Sequence, residues 1–179
     1  YRKCLKGMSD VNVKFVERSY VSREKINPAK GGFGGRVRII EDYYTLLHLS
    51  ARRGLYSICE ILIDHGADVN VIANNGRTPL HEAARMGHYN VCKLLKTRGG
   101  IISALDHEND TPLHVAAENG HLEICKWLIN EGASIDVVND GLRTPLHNAV
   151  LKGDLKICTL LIDSGADINI EDDNGQTPK

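Results

Sequence analysis

Eight histidines and five cysteines are the residues of this 179-residue chain best able to bind a metal, relay a proton or attack an electrophile. Their spacing argues against all three. His48, His81, His114 and His147 stand 33 residues apart, as do Cys59, Cys92, Cys125 and Cys158. His88 and His121 each follow a glycine at the same interval, which leaves only His65 and His107 outside a series. There is no His-x-x-x-His pair, no Cys-x-x-Cys pair and no Gly-x-Ser-x-Gly elbow. A catalytic site needs one place that differs from the rest, whereas these residues return identically. They read as scaffold, the thiols as reduced core hydrophobes of a cytoplasmic or nuclear protein. Neither a catalytic residue, nor a metal, nor a cofactor is expected.

The elements that carry these residues share the period. Thr45, Thr78, Thr111, Thr144 and Thr177 are spaced by 33, as are Gly54, Gly87, Gly120 and Gly153, and again Gly66, Gly99, Gly132 and Gly165. Such a period marks a stacked array. Within a unit, Thr-Pro opens a helix, with Thr as N-cap and Pro at the first helical position. Leu80, Ala83 and Ala84 share its buried face, and Gly87 ends it. A second helix is predicted from about Tyr89 to Thr97, burying Val91, Cys92, Leu94 and Leu95 and stopping at Gly99. One such pair cannot cover its own apolar face, but stacked copies can. Trp127, whose counterparts are Ile61, Leu94 and Leu160, is read as core between units.

These motifs resemble the ankyrin repeat. Thr78-Pro-Leu-His81 with Ala83-Ala84 and Gly87-His88, Thr111-Pro-Leu-His114 with Ala116-Ala117 and Gly120-His121, and Gly66-Ala-Asp-Val-Asn70 and Gly165-Ala-Asp-Ile-Asn169 carry the likeness. It implies an all-α solenoid of helix-turn-helix units with β-hairpin loops over residues 41–179. The units fall near 41–73, 74–106, 107–139 and 140–172, with a partial fifth at 173–179, and the repeat histidines tie one hairpin to the next. It also suggests Asn70 and Asn169 as substrates of an asparaginyl hydroxylase. Some positions depart from the pattern. Leu46 replaces Pro and Val150 replaces Ala, so packing there is looser or adjusted. Asn109 and Leu142 replace the hairpin-tip glycine seen at Gly76 and Gly175. Asn accepts the left-handed conformation, whereas Leu142 beside Gly141 suggests a shifted turn.

Residues 1–40 form a basic N-terminal segment or cap, with ten Lys or Arg against three acids, while the remainder has twelve against twenty. Val11, Val13 and Phe15, then Val37 and Ile39, alternate as short strands around the Gly-rich loop Asn27–Gly35, which lacks the Gly-Lys-Ser/Thr ending of a phosphate loop. No apolar run is long enough to span a membrane and no secretion signal opens the chain, which reads as an excerpt of a larger protein. Nucleic acid is disfavoured, because the acidic body would repel a phosphate backbone and the arm has few aromatic residues for stacking.

Function is therefore expected where units differ at exposed positions. Carried over by register onto the concave face, the first unit offers Glu41, Asp42, Tyr44, Arg52 and Arg53, and the second Asn74, Asn75, Arg77, Arg85 and Met86. The third offers His107, Glu108, Asp110, Glu118 and Asn119, and the fourth Asp140, Arg143, Leu151 and Lys152. Arg52, Arg53, Arg77 and Arg85 should meet the acidic part of a peptide, and Glu108, Asp110 and Glu118 its basic part, with Tyr44 and Met86 as apolar anchors. The chain is expected to act as a monomeric protein-interaction module, scaffold or adaptor, binding a protein or peptide. The alternatives are a regulatory or targeting domain of a larger enzyme, or a chromatin contact that holds a histone tail.

Overall fold

The computed structural model describes residue 12, residues 14–23 and residues 37–178. Strands β1 (Lys14–Arg23) and β2 (Val37–Thr45) pair antiparallel, with Phe15 opposite Tyr44 and Val21 opposite Ile39 and an irregularity between Val16 and Ser19. Phe15, Val37 and Ile39 thus fall on strands, while Val11, Val13 and the Gly-rich loop lie outside the described residues. β2 runs across residue 40 and ends at the cap of the first helix, so the backbone passes without a break from the basic segment into the array.

Eight helices follow as four pairs. The inner helices are α1 (Leu46–Arg52), α3 (Pro79–Arg85), α5 (Pro112–Asn119) and α7 (Pro145–Lys152). The outer ones are α2 (Tyr56–Asp64), α4 (Tyr89–Thr97), α6 (Leu122–Asn130) and α8 (Leu155–Asp163). Each inner helix starts at its threonine in extended conformation, and Leu46 serves as well as Pro for opening α1. Alanines at 83, 84, 116 and 117 are buried and let the inner helices approach closely, while the outer helices pack on each other less tightly. The stack therefore bends with the inner helices on its concave side. One continuous core runs through it, including Leu47, Leu80, Leu113 and Leu146 from the inner row and Leu62, Leu95, Leu128 and Leu161 from the outer.

The four repeat cysteines lie in or against that core. Cys59, Cys92 and Cys125 are buried and Cys158 half-buried, all as free thiols. Burial pushes each of the first three thiols up to about 12 and raises Cys158 as well. Trp127 is buried, edge-on to Tyr89, with its indole N–H donating to Glu131 Oε1 at 3.1 Å.

Hairpins project between one unit's outer helix and the next unit's inner helix. The backbone N–H of Ala73, Asp106, Asn139 and Asp172 donates to the carbonyl of Arg77, Asp110, Arg143 and Gln176, closing each tip. The tips are joined in series, His107 N donating to Asn75 O, Asp140 N to Glu108 O and Asp173 N to Gly141 O at 3.0–3.1 Å. In the fourth unit the turn is not shifted. Leu142 itself takes the left-handed conformation at φ 53°, as Asn109 does at 59°, and Gly141 stays at negative φ. The stack sets the turn, and Leu142 bears the strain that a glycine there would avoid.

Candidate interaction face

The repeat histidines build the joints between units. In each inner helix the N-cap threonine hydroxyl lies 2.8–2.9 Å from Nδ1 of the histidine three residues on, and the threonine backbone N–H donates to the same nitrogen. The opposite nitrogen, Nε2, donates to a carbonyl of the next hairpin: His48 to Arg77, His81 to Asp110, His114 to Arg143 and His147 to Gln176, at 2.9–3.1 Å. A carbonyl can only accept, so Nε2 carries the proton and Nδ1 accepts. Held this way, the His81 and His114 rings are neutral. Burial lowers the His81 and His114 pKa values accordingly, although the carbonyl bonds and nearby aspartates oppose it.

A second pair of histidines ties the helices. His88 Nε2 donates to Arg52 O and His121 Nε2 to Arg85 O. Each ring sits against a glycine of the preceding unit, where a Cβ on Gly54 or Gly87 would stand 2.6–2.9 Å from it. Small size and left-handed φ are both required there. Of the unassigned pair, His65 Nδ1 donates to Ile61 O within its own turn, and His107 is exposed at a hairpin. Asn70 is also a joint, its amide bridging Gly99 O and Ile101 N of the next unit, whereas Asn169 bonds only to Asp167.

Several residues expected to face a partner are used inside the stack. Tyr44 is no exposed anchor: it is only 6 % exposed, edge-on to His48, with the Arg52 guanidinium 5.9 Å from its ring centre. Asp110 is buried too, and accepts from Asn139 Nδ2 at 2.8 Å. That contact is the middle rung of a ladder. Arg77 Nε donates to Asp106 Oδ2 at 2.9 Å, and Arg143 Nε lies 3.6 Å from Asp172 Oδ2. The rungs run Arg–Asp, Asp–Asn, Arg–Asp, so the polarity is reversed at the middle rung alone and no rung pairs like charges. Residues 29 apart in sequence make each rung, a complementarity visible in the sequence once the period is known.

Glu82 is the functional-looking residue that sequence reasoning missed. It is 1 % exposed, lies 3.1 Å from Arg85 Nη2 and 3.7 Å from Arg52 Nε, and keeps Oε1 without a hydrogen bond. Its counterparts Leu49, Val115 and Asn148 carry no charge. The arginine cluster of the first two units is therefore largely neutralised from within, by Glu82 and Asp106. Arg53, Met86, Glu108, Glu118 and Leu151 remain exposed, Leu151 at 67 %. Glu41 and Asp42 fall within β2.

A recess of about 640 Å³ opens between the outer helices α2 and α4, lined by Tyr56, Glu60, Asn90, Lys93, Leu94, Thr97 and Arg98. Arg98 is fastened there to Asp64 at 2.6 Å, and no nucleophile–base pair converges on it. Among the described residues no group of three or more His, Cys, Asp or Glu is placed to hold a metal ion, and no helix is long and apolar enough to cross a membrane.

A family model for ankyrin repeats (3 copies) matches residues 33–106 and 98–172. The chain belongs to the ankyrin-repeat family. Ankyrin repeats generally serve as protein–protein interaction modules, and the fold here is their all-α solenoid. No curated protein matches the chain.

Proposed function

We propose that this ankyrin array is a monomeric scaffold or adaptor module that binds a protein or peptide on its concave side. One observation carries the reading. What recurs in every unit is committed to stacking, while Arg53, Met86, Glu118 and Leu151, exposed at the C-terminal ends of the inner helices, differ from unit to unit. A catalyst would concentrate its distinctive groups in one place, and here they are spread along a row. The contact set expected by register contracts accordingly. Tyr44, Arg77, Asp110 and Arg143 support the surface, Arg52 and Arg85 lie at its half-buried edge, and Arg53, Met86, Glu108, Glu118 and Leu151 meet the partner. Free thiols packed in the core suit a reducing compartment, cytoplasmic or nuclear.

The test is affinity purification with the full chain against Arg53→Glu/Met86→Ala/Glu118→Lys/Leu151→Ala. All four side chains are surface groups, so melting should change little. Loss of the partners captured by the native chain is expected. A variant that keeps every one of them would defeat the reading.

A further inference from the structure

The chain ahead of α1 repeats, at a stretched scale, the connection that elsewhere leads from one outer helix to the next inner helix. A side-chain bond gives the first measure. Asn70 Oδ1 accepts from Ile101 N and Asp136 Oδ1 from Asp167 N, each pair 31 residues apart, at 3.0 and 3.1 Å. Asn12 Oδ1 accepts in the same way from Asp68 N at 2.9 Å, but across 56 residues. Asp68 stands one period of 33 before Ile101. Asn12 therefore holds the place of Asn70 one unit earlier, with 25 residues to spare.

The hairpin gives the same excess from different residues. Ala73 and Arg77 close an ordinary tip, and antiparallel register sets Ile72 opposite the N-cap Thr78. In the ribbon Lys14 lies opposite the N-cap Thr45, and Phe15 opposite Tyr44. Thr45 and Tyr44 stand one period before Thr78 and Arg77, so Lys14 and Phe15 hold the places of Ile72 and Ala73. They follow Asn12 at the intervals by which Ile72 and Ala73 follow Asn70. Asp10-Val-Asn-Val13 also repeats Asp68-Val-Asn-Val71. What is left over is residues 16–40.

We propose that residues 10–45 are one such inter-unit connection, with residues 16–40 inserted into its hairpin tip as an arm separable from the fold. Asn12 is then an inter-unit joint like Asn70. The segment is neither a cap on the first helix pair nor a domain of its own. Loop-closure entropy grows only with the logarithm of loop length, so the stack carries the insertion at little cost. The arm also accounts for the charge of the first forty residues, because it holds six of their ten Lys or Arg and two of their three acids. The assignment goes beyond the reading of the concave side and does not depend on it.

Two variants of the full chain test this. One deletes residues 16–40 and carries Tyr43→Gly, which supplies the turn glycine found one period on at Gly76. The other is Asn12→Ala, with Asn70→Ala as its reference. Melting and residue-resolved hydrogen exchange are measured on each beside the native chain. The shortened chain should melt no more than about 3 °C below the native one and keep the Asp68 amide protected. Asn12→Ala should speed exchange of that amide at least tenfold, as Asn70→Ala should for Ile101. A larger fall in melting temperature on shortening makes the ribbon a cap that the stack needs, and overturns the arm. Unchanged exchange at Asp68 in Asn12→Ala overturns the joint, and the register with it.

Discussion

Replacing His81 by Ala tests whether the histidine joints or the apolar core hold the units together. The ring is fully buried and has a partner on each side, Thr78 within its own unit and Asp110 O in the next. Removing it leaves the buried Thr78 N–H without an acceptor, at a cost of about 1–3 kcal/mol. Asp110 O keeps the bond from Asp106 N, so its loss is smaller. The space vacated by a buried ring adds about 2 kcal/mol, within the range for large-to-small changes. The sum, about 3–5 kcal/mol, is a large part of the stability of a typical domain. His88→Ala is the internal control, since His88 makes a single carbonyl bond from a half-buried site. It should cost about 1 kcal/mol. Urea denaturation followed by far-UV circular dichroism gives both numbers, and hydrogen exchange should show faster opening of the hairpin at 106–110 only in His81→Ala. If His81→Ala costs no more than His88→Ala, the histidine ladder is incidental to stacking.

Four further outcomes follow from the same geometry. Leu142→Asn should be about 1 kcal/mol more stable than Leu142→Ala, because Asn tolerates the left-handed turn and Asp173 stands where Asp140 stands for Asn109; equal melting temperatures would remove the strain from the account. Asn139→Asp sets a second carboxylate against buried Asp110, and should destabilise the chain by about 2 kcal/mol at neutral pH with recovery in acid, read from urea midpoints across pH. His81 and His114 have folded pKa values below the ordinary 6.5, so the unfolded chain binds more protons. Stability should be level above about pH 6.5 and fall as the pH drops from there toward the folded values, and a His81→Gln/His114→Gln chain should show a shallower fall. Under native conditions iodoacetamide should label half-buried Cys158 well before Cys59, Cys92 and Cys125, as peptide mapping by mass spectrometry would show.

The fold was largely legible because a repeat averages out local ambiguity. Three copies of Thr-Pro-Leu-His, with the glycines that recur around them, place the second unit's outer helix at Tyr89–Thr97, where the structure has it. The interaction face was legible only by position. Register says where an average unit faces solvent, and it cannot say that Tyr44 lies beneath Arg52 or that Asp110 is taken by Asn139. The first depends on a residue later in the same unit, and the second on one 29 positions away in the next unit, so it emerges only when neighbouring units are compared in pairs. Glu82 was hidden for the opposite reason: a charged residue on a helix reads as surface, and only Arg52 and Arg85 closing over it make it interior. The pairing of β1 with β2 was invisible too, because two alternating runs do not announce each other as partners.

The glycine sockets that receive His88 and His121 have no counterpart at the last joint. There Gly120 faces Asp154, which spends its Oδ1 on the first turn of its own helix, accepting from Lys156 and Ile157. α7 is still gripped by α5, but α8 has no histidine latch to the unit behind it. Under a mechanical load applied at the fourth unit, α8 should therefore peel away first and at low force, and α6 and α4 should hold until their latches break.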